Sequence, residues 1–164
     1  MQDPVFGEID YDRQLRAWQG VCQLKLVPGE ETRLAIHSEG VVPDAGQQKV
    51  YQDFCNRWDT LKPRLEKTIF GYHKGYLRWI NTFILPFFSL IMKLMGQEVG
   101  DGNDKTVDHP HEVWKLLGLP VIEIPHQEPG HQTLALLFEC EWEPEHGFMV
   151  LLQDWEVKYR GIQG

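Results

Sequence analysis

The chain has 164 residues, 42% of them apolar and 24% charged, the balance of a folded globular domain rather than a disordered or fibrous one. A single domain of this length buries about 70% of the surface its unfolded chain exposes, so neither a metal nor a disulfide is required to make a core. Sixteen Lys and Arg stand against twenty-four Asp and Glu, a formal charge of -8, which argues against a phosphate backbone, and so against nucleic acid, and suits a basic protein partner.

The three cysteines, Cys22, Cys55 and Cys140, are odd in number and far apart in sequence, with no C-x-x-C pair. They form neither a disulfide framework nor a thiolate zinc motif and fit a reducing cytoplasm. Residues 1–8 are acidic and lack the basic start and apolar stretch of a signal peptide. The expected location is therefore cytoplasmic.

Strand signals fill the first forty residues. Val5, Phe6, Ile9 and Tyr11 open the chain, and Val21, Gln23 and Lys25 then alternate with Cys22, Leu24 and Leu26, the period of a half-buried strand. Pro28 and Gly29 form a turn before Thr32–His37, because Pro presets φ and Gly accepts a positive φ. An antiparallel meander is expected.

After Asp44, a candidate helix cap, Val50, Tyr51, Phe54, Trp58 and Leu61 recur at helical spacing, and Leu65, Ile69, Tyr72 and Tyr76 continue it. Pro63 predicts a kink or restart, since it removes a helical hydrogen bond. Residues 79–92 are the most apolar stretch. They run fourteen residues between Arg78 and Lys93, too few for a bilayer, which takes about 20. A buried helix is the favoured expectation, against an exposed surface that docks on a partner or membrane.

A Gly- and Asp-rich loop spans residues 96–108, followed by a helical hint at Glu112–Gly118 and a short strand between Pro120 and Pro125, expected at an edge or strand terminus. Two strands complete the chain, 133–142 and 147–157, joined by a turn short enough for a hairpin. With no repeat, low-complexity tract or linker, these elements predict one α+β domain over residues 1–164. Its antiparallel sheet is built from the N-terminal meander and the C-terminal hairpin, packed on the central helices.

Histidine is the most suggestive chemistry. His109 and His111 alternate on one segment, and with His126 and His131 they compose a candidate metal set for a metal-dependent hydrolase. The set lacks an H-E-x-x-H pattern, and Pro110 between the first two has a backbone role of its own. Asp101, Asn103 and Asp104 fail as a calcium loop, because Lys105 and Thr106 stand where an oxygen ligand and a glycine belong. Glu139, Glu141, Glu143 and Glu145 alternate along and beyond one strand, with Glu139 and Glu141 expected opposite Phe138, Cys140 and Trp142, and His146 closes the group as a candidate binding surface. No serine elbow, phosphate loop or dinucleotide fingerprint occurs, and the cysteines lie in apolar or strand contexts, so no catalytic residue and no cofactor is assigned. Of six tryptophans, any that is exposed is a candidate interface anchor.

Residues Phe6–Asp12 with Trp18, and Phe138–Val150 with their Trp142, Glu145, His146 and Gly147, resemble small bacterial proteins of unknown function discussed beside the immunity proteins of toxin systems. The resemblance covers both ends of the chain but not the apolar middle around Pro86. It implies an α+β fold and transfers no catalytic residue. In the turn, Gly147 is expected at positive φ and His146 is expected to bond a backbone carbonyl or Glu143. The function expected is non-enzymatic protein binding, most concretely neutralisation of a bacterial toxin by an acidic surface covering a basic active site, with the metal-dependent hydrolase as alternative.

Overall fold

Alternating apolar and polar residues build the first strands, as a computed structural model shows; it describes residues 1–38, 41–95 and 107–163, side chains at 88–90, 92 and 93 excepted. Gln2–Asp3 (β1), Gly7–Asp12 (β2), Ala17–Cys22 (β3) and Thr32–His37 (β4) pair antiparallel in sequence order. Asp3 is buried and accepts the amides of Val5 and Phe6 at 2.8 and 3.0 Å, which forms the first turn. Asp12 does the same for Gln14 and Leu15 at the next turn.

One helix, Ala45–Trp79 (α1), then crosses the sheet. Its start is a capping box: Asp44 accepts the Gln47 amide at 2.8 Å, and Gln47 returns a side-chain oxygen to the Asp44 amide. The fully buried Gln47 amide group also reaches the carbonyls of His37, Ile124 and Pro125. The buried stripe Val50, Tyr51, Phe54, Trp58, Leu61, Leu65, Ile69, His73 and Leu77 lies against the sheet. The restart expected at Pro63 does not occur, and α1 is continuous through it. Pro63 and Asp59, whose carbonyl loses its helical donor, both lie on the exposed side, where water takes that role while the buried stripe holds the helix in place.

Beyond Trp79 the helix widens. Ile80–Ile84 is a π-turn in which the Leu85 amide donates to the Ile80 carbonyl, and Leu85–Leu94 (α2) follows. Pro86 accounts for the widening, because a proline cannot bond the carbonyl four residues back and clashes with it in regular α geometry. The favoured expectation that this apolar segment is core fails. Trp79, Phe83, Ile84, Leu85, Phe87, Ile91, Leu94 and Met95 are exposed, so the segment is an arm that leaves the body.

A 3-10 helix, Pro110–Leu116, leads into Leu117–Ile124 (β5), Thr133–Cys140 (β6), Phe148–Gln153 (β7) and Glu156–Ile162 (β8). The sheet has eight strands in sequence order, antiparallel except where β5 pairs parallel to β4. A parallel pair needs a long crossover, and the helices supply it. β5 is therefore central rather than at an edge. Pro120 is tolerated there because the register shifts between Gly118 and Val121, at a bulge where Leu119 takes a φ of 41°. The segment expected as one strand from 147 to 157 is two strands, turned at Asp154 and Trp155 with φ of 51° and 68°, a double positive φ that suits a tight hairpin.

α1 covers one sheet face, and Ile9, Leu34, Ile36, Ile122, Ile124, Leu134, Leu136, Phe138, Phe148, Val150 and Leu152 meet it in the core. No described helix is long and apolar enough to cross a membrane.

Candidate functional site

The acidic group at the C-terminal hairpin divides in two. Glu139 and Glu141 are exposed while Phe138 and Cys140 are buried, the alternation expected of a strand. Both line a groove of about 420 Å³ with Glu30, Lys115, Gly118 and Pro144. Glu143 instead faces His146, whose Nδ1 lies 3.0 Å from Oε1, and this hydrogen bond raises the imidazole pKa. Glu145 is exposed. Gly147 takes a φ of 71°, and a Cβ there would lie 2.5 Å from the Phe138 carbonyl oxygen, so the turn has the conformational origin expected of it.

The candidate metal histidines do not converge. His109 and His111 stack with ring centroids 5.6 Å apart at the start of the 3-10 helix, where Pro110 occupies the first turn. Glu112 accepts the amides of Asp108 and His109 and the Lys115 ammonium, and these bonds push its carboxyl down to about 2. His131 pairs with Asp154 at 2.8 Å, and His126 pairs with Asp44 at 3.2 Å at the opening of α1. Among the described residues no three His, Cys, Asp or Glu side chains are grouped as metal ligands. The calcium-loop candidates Asp101, Asn103 and Asp104 lie outside the described residues.

The parallel pair creates a crevice of about 580 Å³ at the carboxyl ends of β4 and β5, lined by His37, Ser38, Val41, Asp44, Gln47 and His126. The junction of parallel strands and a helix start is where open sheets place ligands. His37 also reaches Glu123 across the pair at 2.5 Å.

A second surface is the sheet face opposite α1. Register and alternation place Ala35, Val121, Ala135, Leu137, Met149 and Leu151 along its middle, half-buried or buried by one another. Glu8, Asp10 and Asp12 stand on one flank, Glu139 at one end, and Glu156 and Tyr159 on the other flank. Arg33 stands beside Val121, and Glu123, which pairs with His37, lies between Ala35 and Ala135. The face is thus a half-buried apolar strip, interrupted by Arg33 and by the Glu123–His37 pair, with an acidic margin.

A family model described as a domain of unknown function, DUF6985, matches residues 5–164. The chain belongs to the DUF6985 family. No curated protein and no solved structure matches it. The match spans the apolar middle as well as both ends.

Two features of this DUF6985 chain escaped the sequence reading. The first is the thiol pair: Cys22 on β3 and Cys55 on α1, far apart in sequence, hydrogen-bond to one another. The Tyr51 hydroxyl donates to Cys22 Sγ at 3.1 Å and the Leu24 amide at 3.2 Å. The bond from Cys55 outweighs burial and brings the Cys22 thiol down to about 6, while Cys55 and Tyr51 are both pushed up. The second is the crevice at β4 and β5, whose His37 carried no motif. Its prior signals were Asp44 as a cap and His126 as a candidate metal ligand.

Proposed function

We propose that this DUF6985 domain is a non-enzymatic binding protein whose open sheet face receives a basic protein partner. The observation that carries this reading is the apolar strip Ala35, Val121, Leu137, Met149 and Leu151, bordered by Glu8, Asp10, Asp12, Glu139 and Glu156. A half-buried apolar strip edged by polar groups has the anatomy of an interface, and the acid margin selects a cationic partner and speeds its approach. The acidic total of -8 supports the same choice. Its most concrete form is neutralisation of a bacterial toxin by occlusion of a basic active site, a reading supported by the resemblance at the two chain ends. The three free thiols, Cys22, Cys55 and Cys140, support action in a reducing cytoplasm.

The test is retention of partners from the native cell on wild-type protein, on Leu137→Arg, and on Asp10→Lys/Asp12→Lys, each confirmed as folded by circular dichroism. A basic, stoichiometric partner released by salt, and lost from both variants, is expected. A partner held equally by all three proteins, or no partner at all, overturns the proposal.

A further inference from the structure

The arm carries a second surface, of opposite charge. Between Glu66 and Glu98 there is no Asp or Glu, while Lys67, Lys74, Arg78 and Lys93 fall in that interval. A protein with an excess of acid therefore presents a helical stalk with only positive charge. Arg160 of β8 joins it: with Tyr76 and Trp79 it lines a groove of about 470 Å³ where α1 leaves the sheet. Tyr76 and Trp79 stand side by side, ring centroids 6.4 Å apart. Of the six tryptophans, all among the described residues, Trp79 alone is exposed, at 51%.

Past this collar the arm is apolar, with Phe83 64%, Phe87 67% and Leu94 80% exposed. From Trp79 to Leu94 it extends about 22 Å at helical rise, short of the hydrocarbon core of about 30 Å. The order along the helix is a stalk with Lys67, Lys74 and Arg78, an aromatic belt and a tip that is apolar but for Lys93 near its end, the order of a bilayer surface read from headgroup to acyl chain, with the long lysine free to reach back to the headgroups. The π-turn before Pro86 sets the tip apart from the stalk, as such turns do where helices bend.

We propose that this arm docks the protein on an anionic lipid surface, Phe83, Phe87 and Leu94 entering one leaflet while Lys74, Arg78 and Arg160 face the headgroups. Charge decides between lipid and the arm of a second copy of the chain. Pairing two arms brings two cationic collars together, whereas anionic headgroups neutralise them.

The test is co-sedimentation of the full chain with vesicles of phosphatidylcholine alone and of phosphatidylcholine containing phosphatidylserine, with analytical ultracentrifugation in parallel. Wild type is expected to pellet with the phosphatidylserine vesicles and to be released by salt. Phe83→Ser/Phe87→Ser, at exposed positions that leave the core intact, is expected to stay in the supernatant. Lys74→Glu/Arg78→Glu keeps the tip and is expected to bind at least about twenty-fold more weakly, at about five-fold per cation. Circular dichroism and the melting temperature of each variant separate lost binding from lost fold. No pelleting with phosphatidylserine vesicles, pelleting that Phe83→Ser/Phe87→Ser retains, or an arm-dependent dimer that ignores vesicles overturns the proposal.

Discussion

At Gly147 the turn between β6 and β7 leaves no room for a side chain. A Cβ would meet the Phe138 carbonyl at 2.5 Å, and the φ of 71° already disfavours any L residue. Gly147→Ala is expected to cost at least about 2 kcal/mol in urea denaturation. Beside it, His146 holds its proton above its ordinary range through Glu143; in a proton-resonance titration Glu143→Gln should return it toward 6.5. The glycine and its histidine were legible from composition alone, because both act on neighbours within a few residues. The Cys22 thiol was not, since the bond that lowers it most comes from Cys55 on another element, with Tyr51 and the Leu24 amide adding to it. A thiol held at about 6 against an ordinary 9.0 binds fewer protons when folded. Its stabilisation is complete above about pH 9 and disappears as pH falls through 6. The advantage of wild type over Cys22→Ser should accordingly grow between pH 6 and 9, with Cys55→Ser flattening the rise.

Helix boundaries show which local signals survive in the fold. Asp44 forms the expected cap, and Asp44→Ala is predicted to lower stability by about 1 kcal/mol. Pro63 was expected to interrupt the helix and does not, because its lost hydrogen bond falls on the solvent side while Trp58, Leu61 and Leu65 are held by the core. Pro63→Ala should therefore stabilise the protein by about 2 kcal/mol in thermal or urea unfolding. Pro86 has the opposite surroundings. No core holds the arm, and the chain answers the proline with a π-turn. At the 3-10 helix, Glu112 accepts two amides and Lys115 and sits near 2 instead of 4.5. Its contribution is present above pH 4.5 and is lost as pH falls toward 2, a dependence that Glu112→Gln should remove.

Across the whole molecule, one sheet carries two different faces. The α1 side is a core in which Phe138 and Phe148 are almost wholly buried, and truncating either to Ala is expected to cost about 3–5 kcal/mol in equilibrium unfolding. The other side carries a half-buried apolar strip that no helix among the described residues covers, and the arm projects a basic and apolar element away from both. The order of strands, helical middle and strands, the turn at Gly147 and the two-sided alternation at Glu139 and Glu141 followed from the sequence, because hydrophobic period and turn chemistry act over a few residues; the alternation read over residues 21–26 did not hold, since β3 ends at Cys22. Only tertiary structure could put β5 beside β4, separate His126 from His131, join Cys22 to Cys55 and leave Trp79, Phe83, Phe87 and Leu94 outside the core. Each of those outcomes depends on which surfaces meet after a long crossover, and an apolar run reads the same in sequence whether the fold covers it or leaves it exposed.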